Sequence, residues 1–126
     1  MIDPIADLLV RIRNAALAHK REVLIPYSKM KESILILIKN EGFIDEVEVI
    51  EENNKKNIKI VISETKTPTH LRQISKQGRK IYAKKKDIRI PLRGLGLVIV
   101  STPAGIVTGR SAIKSGMGGE LICEIW

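Results

Sequence analysis

Gly94-Leu95-Gly96-Leu97-Val98-Ile99-Val100-Ser101-Thr102-Pro103-Ala104-Gly105 and, downstream, Gly116-Met117-Gly118-Gly119-Glu120-Leu121-Ile122-Cys123-Glu124-Ile125-Trp126 decide how this chain is read. Leu97–Ser101 and Leu121–Trp126 are apolar enough to be central strands, and a Gly-containing turn bounds each. Paired antiparallel, the end of the first strand meets the start of the second, which brings Ser101-Thr102 beside Gly119-Glu120. Hydroxyls and bare backbone on a tight loop suit contact with a polar surface at short range. No base, nucleophile or metal ligand stands nearby in sequence.

Working outward, a short helix is expected near Thr108–Lys114. Strands are expected at His70–Ser75 and Arg79–Ala83 about a Gln77-Gly78 turn, and at Ile88–Leu92 after a basic loop. Asp3-Pro4 opens an N-terminal helix whose apolar stripe is Ile5, Leu8, Leu9, Ile12 and Ala16. Glu22–Ile25 reads as a strand ended by Pro26. Ser28 caps a second helix that carries Met30, Ile34, Leu35, Leu37 and Ile38 and stops at Asn40-Glu41-Gly42. Phe43–Ile50 and Asn57–Ser63 alternate as a hairpin about a polar Glu51–Lys56 turn. The fold class is α+β in two small lobes. Residues 1–63 form an α-β-α-β-β lobe, 64–69 a connector, and 70–126 a mainly β lobe with a short helix.

Charge follows the same division. Residues 1–63 hold 10 Lys/Arg against 10 Asp/Glu, and residues 64–126 hold 12 against 4, which supplies the whole net charge of +8. Lys66 to Arg93 alone carries ten cations and one acid, Asp87. Such density points to a polyanion, nucleic acid foremost. Four aromatics (Tyr27, Phe43, Tyr82, Trp126) are too few for a platform that reads single strands. Structured RNA fits better, met through phosphates, 2′-hydroxyls and the odd base edge. Gly118 and Gly119 then let backbone approach the RNA, while Glu120 either accepts from a base amino group or braces the loop.

Catalytic chemistry finds little support. Gly94-Leu95-Gly96 precedes its strand, and Ile99 stands where a dinucleotide fingerprint needs its third Gly. His19 and His70 lack partners at metal-ligand spacing, and Ser111 and Ser115 lack nucleophile-elbow glycines. The lone cysteine, Cys123, lies among apolar residues and reads as core. No apolar run approaches the roughly 20 residues of a membrane span, and the N-terminus lacks a signal peptide's pattern. The expectation is a soluble intracellular protein in a reducing compartment, without catalysis, cofactor, metal or small-molecule substrate.

Three blocks resemble the bacterial-type ribosomal protein eight of the small subunit: Gly94–Thr102 continued by Gly105-Ile106-Val107-Thr108 with Arg110 and Ala112; Gly118–Cys123 with Trp126; and Asp3–Leu9 with Arg11–Ala15. Glu41-Gly42-Phe43-Ile44 and Gly78–Tyr82 add to the likeness, which spans the chain. The resemblance implies a primary binder of small-subunit ribosomal RNA, seated on a central-domain stem, supporting assembly beside neighbouring small-subunit proteins. A cytoplasmic ribosome or its organellar counterpart would house it. It implies RNA contacts at Tyr82, Ser101, Thr102, Pro103, Gly105, Gly118, Gly119 and Glu120. Weaker phosphate contacts fall to Arg79, Lys84, Lys85, Lys86, Arg110 and Lys29.

The chain departs from the family pattern at Pro103 and Ala104, where a hydroxyl and a cation are usual, and at Gln77, Gly109 and Glu124. The alternative is a protein–protein module, docking through the helices of the neutral lobe, or a non-specific nucleic-acid binder. Confinement of the charge to one lobe is the feature that discriminates.

Overall fold

The computed structural model describes residues 4–91 and 94–126. Asp3, expected as the first helix cap, and Leu92 with Arg93 lie outside the described residues. The chain divides into two compact units, Met1–Thr69 and His70–Trp126.

The first unit runs α1 (Pro4–Leu17), β1 (Glu22–Pro26), α2 (Lys29–Asn40), β2 (Ile44–Glu52) and β3 (Lys55–Ile62). Its antiparallel sheet has the order β1-β3-β2. In α1 the buried positions are Leu8, Leu9, Ile12 and Ala15, so the stripe closes on Ala15 and leaves Ala16 half-exposed. In α2, Ile34, Leu35 and Ile38 are buried, whereas Met30 faces solvent. Ser28 accepts from the Lys31 amide at 3.1 Å, the expected N-cap. Ile25, Ile58, Ile60 and Ile62 complete the core. The opposite face of the sheet alternates with it and carries Leu24, Lys59 and Glu48 in one cross-strand row.

The hairpin turn is much tighter than its polar run suggested. Glu52 pairs with Lys55, and only Asn53 and Asn54 lie between them, at φ 51° and 63°. Two consecutive left-handed residues form the turn type that two-residue hairpins favour because its twist matches that of the strands, and Asn tolerates that region.

The second unit contains β4 (Leu71–Gln73), β5 (Tyr82–Ala83), a 3-10 turn (Lys85–Asp87), β6 (Leu97–Thr102), β7 (Gly105–Thr108), α3 (Gly109–Ser115) and β8 (Gly119–Ile125). The sheet order is β4-β8-β6-β7, with β5 also pairing β8. The antiparallel β6–β8 pairing expected from the two apolar runs is present, from Leu97 against Ile125 to Ser101 against Glu120.

Two expectations are corrected here, and one strand is added. The segment Ile88–Pro91 is not a strand: Pro91 has no N–H to donate to a ladder, and Ile88 instead enters a small core with Val98, Val100 and Ala112. The flanking strands are shorter than expected, Leu71–Gln73 and Tyr82–Ala83. Gly105–Thr108, for which the sequence predicts no element, is the strand β7. Pro103 and Ala104 alone separate it from β6, since Thr102 pairs with Gly105. Proline presets the first turn position, and Gly105 takes φ 121°, open to glycine.

A bulge interrupts β6–β8. Ile99 pairs with Cys123, the next residue Val100 pairs with Leu121, and Ile122 is skipped.

Candidate nucleic-acid interface

Directly paired residues of antiparallel strands project to the same face. Tyr82 pairs with Glu120, Glu120 with Ser101, and Ser101 with Ile106. Four strands thus set Tyr82, Glu120, Ser101 and Ile106 in one row. Tyr82 is 69% exposed, while Ser101 and Ile106 are half-buried. Ile106 was not among the expected contacts. Reading Pro103-Ala104 as a two-residue hairpin turn would have put it in register with Ser101.

Thr102 behaves differently from Ser101. It is buried, its hydroxyl donates to the Gly105 carbonyl at 2.8 Å, and it accepts from the Ala104 amide at 3.2 Å. Its polar capacity closes the turn that carries Pro103, Ala104 and Gly105 on the exposed surface. Ser101, half-buried, carries the neighbouring hydroxyl on the other face of β6.

Glycines 118 and 119 are also spent within the molecule. A Cβ on Gly118 would collide with the Ala83 carbonyl and lie 2.8 Å from Lys84 Cα. One on Gly119 would collide with the Ser101 carbonyl oxygen and lie 3.2 Å from Thr102 Cα. The missing side chains therefore let the basic segment and the hydroxyl turn seat against the start of β8, while both glycines stay half-buried on the surface.

Glu120 has its own neighbour. Its carboxylate lies 3.6 Å from Lys80 Nζ, with the carboxylate side chain 18% exposed and the lysine 57%. The pair lies at the start of β8. In the sequence Lys80 is distinguished from the other cations of its basic tract by nothing but position.

The other cations remain available. Lys84, Lys85 and Lys86 lead into and form the 3-10 turn, all exposed. With Tyr82, Ala83 and the Gly116–Gly119 turn they line a shallow depression. Arg79 sits on the Gln77-Gly78 turn, whose ends exchange backbone bonds between Lys76 and Arg79 of 3.0 and 2.9 Å. Arg110, in the first turn of α3, is exposed beside Gly94. None of these five has a carboxylate partner among the described residues. Lys29, the remaining expected phosphate contact, opens α2 in the first unit and is exposed.

Cys123 is buried, and burial, with a smaller contribution from the charge of Glu124, pushes its thiol from 9.0 up to about 12. A thiol so held is protonated at neutral pH and is a poor nucleophile. Nearby, His70 stacks on Trp126 with centroids 3.6 Å apart, and the two exchange backbone hydrogen bonds of 2.8 and 3.0 Å. The stack ties the chain end to β4 by packing.

Fold and surface together define a small basic α+β protein that carries cations, a hydroxyl, an aromatic ring and tight turns on one unit. Residues 3–126 match the family model described as Ribosomal protein S8. Among its relatives, small ribosomal subunit protein uS8 of Leuconostoc citreum is 45% identical over 130 residues, covering 100% of this chain and 98% of that one. The protein of the same name from Dictyoglomus thermophilum is 46% identical over 127 residues, covering 98% and 97%. That from Thermus aquaticus is 42% identical over 137 residues, covering 100% and 99%. This chain belongs to the ribosomal protein S8 family.

Proposed function

We propose that the chain, as a structural constituent of the small ribosomal subunit, binds a stem of the RNA's central domain directly and supports assembly beside neighbouring subunit proteins, on a cytoplasmic or organellar ribosome. The role involves no turnover. The observation that carries this reading is the row Tyr82–Glu120–Ser101, flanked by three exposed lysines, Lys84 to Lys86, with no acidic partner among the described residues.

The division of labour follows from the chemistry of the groups. Lysine and arginine attract any phosphate and supply affinity. The Ser101 hydroxyl both donates and accepts, which suits a base edge or a 2′-hydroxyl and supplies selectivity. The Tyr82 ring offers a face to a base or sugar. Glu120, 3.6 Å from Lys80, accepts from a base amino group or braces the row.

The test is retention of the purified protein on central-domain RNA and on random duplex RNA as salt rises. Retention of the first alone near physiological salt supports the reading. Release of both together would assign the basic surface to non-specific attraction.

A further inference from the structure

We propose that the free edge of β2 receives an extended basic segment of another protein as an added strand. The inference rests on the chain's place among other proteins of the subunit, and not on its RNA contact. In the order β1-β3-β2, the outer edge of β2 has no strand beyond it among the described residues. The edge is long, Ile44–Glu52, and Asp45, Glu46, Glu48, Val49, Glu51 and Glu52 are exposed along it.

The hairpin turn settles which backbone groups are free. A two-residue turn is flanked by a hydrogen-bonded pair, here Glu52 with Lys55. By alternation, Ile50, Glu48 and Glu46 also bond to β3, against Asn57, Lys59 and Val61. The N–H and C=O groups of Glu51, Val49 and Val47 therefore point outward. An exposed row of this kind is a template for strand addition.

Charge selects the guest. Glu46, Glu48 and Glu52 project from the open face of the sheet, on alternate residues. The cation across from Glu48 is engaged elsewhere, since Lys59 Nζ lies 3.5 Å from Glu22. Arg21 is taken by Asp45 and Glu64, at 2.8 and 3.2 Å. Glu46, Glu48, Glu51 and Glu52 have no ion pair among the described residues. Like charge repels RNA phosphates from this edge and opposes pairing with the same edge of a second copy. A guest strand with Lys or Arg at every second position would set those cations beside Glu46, Glu48 and Glu52. Its intervening residues would lie on the side of Val47 and Val49.

The test uses two synthetic peptides of the length of β2 and equal charge, one alternating lysine with valine or threonine, the other with its lysines clustered. The alternating peptide should bind at least tenfold tighter. It should slow amide exchange at Val47, Val49 and Glu51 and leave Glu46 and Glu48, already bonded to β3, unchanged. A Glu46→Thr/Glu48→Thr variant, checked for native circular dichroism, should lose at least tenfold of that affinity. Equal affinity for both peptides, or binding without slowed exchange, would overturn the proposal. So would slowing of the same amides by RNA, or a variant that self-associates while its parent binds neither peptide, since the carboxylates would then only guard the edge. Because the assay contains no RNA in its main arm, its failure leaves the RNA-binding reading to be judged by its own test.

Discussion

Gly119 lies so close beneath the Ser101 carbonyl that no side chain fits between them: an added Cβ would stand 2.9 Å from the Ser101 carbonyl carbon and closer still to its oxygen. The obstacle is backbone on the paired strand, which cannot swing aside as a flexible side chain can. Gly119→Ala should therefore destabilise the protein by about 1–3 kcal/mol, the usual range for overpacking, and Gly119→Val by more. Thermal unfolding measures it. RNA binding by folded Gly119→Ala protein should fall through displacement of Ser101, so a variant of unchanged melting temperature with impaired binding would contradict this account.

Ser101 and Thr102 are adjacent hydroxyls with opposite fates. Thr102→Ala leaves the Ala104 amide and the Gly105 carbonyl without their partner, a loss of about 1 kcal/mol or somewhat more. Ser101→Ala should change stability by less than about 0.5 kcal/mol, yet reduce binding to cognate RNA more than to random duplex. Denaturant unfolding and paired RNA titrations separate the two. Greater stability loss at Ser101 than at Thr102 would reverse the assignment.

Replacing Lys84, Lys85 and Lys86 with Ala should weaken cognate and random RNA alike. The slope of log affinity against log salt should fall by up to roughly one unit for each phosphate left without its lysine. Stability should hardly move, because all three side chains are exposed. An unchanged slope would place the phosphates elsewhere.

Cys123 should resist alkylation in the native state at pH 8 and react rapidly once denatured. Its thiol also contributes to the pH dependence of stability. The folded value, about 12, lies above the ordinary 9.0, so the unfolded chain loses its proton first on raising the pH. The contribution is fully present below about 9 and is lost as pH rises toward about 12. Unfolding free energies of the parent and of Cys123→Ala, compared over that window, should show a steeper alkaline decline in the parent. Parallel curves would remove the thiol from the balance.

The helices and central strands were legible because their signals are periodic. Leu8, Leu9 and Ile12 recur at helical spacing, Ser28 stands at the first open amide of α2, and Leu97–Val100 is apolar without a break. Short strands are harder to read. Tyr82–Ala83 spans two residues, and β7 is held by a turn whose Pro-Ala tip resembles a loop. Ile88 looks like part of a strand because burial in a core demands the same apolar side chain whatever the backbone does. At the candidate interface the sequence names residues without naming their neighbours in space. Thr102, Gly118 and Gly119 serve contacts within the chain that depend on which strands lie side by side. No pattern in one dimension reports that.

The skipped residue in β8 means that the two paired strands count differently. From Ile99 to Ser101 is two steps, whereas their partners Cys123 and Glu120 are three steps apart. Regular pairing onward from Cys123 would bring Leu121, an apolar side chain, opposite Ser101 in place of the carboxylate that pairs with Lys80. Ile122 thus works as a phase joint. The segments Cys123 to Ile125 and Gly119 to Leu121 pair with β6 in two frames that differ by one residue. The pairing of Ser101 with Glu120, and with it the place of the Lys80 ion pair, hangs on that one extra residue.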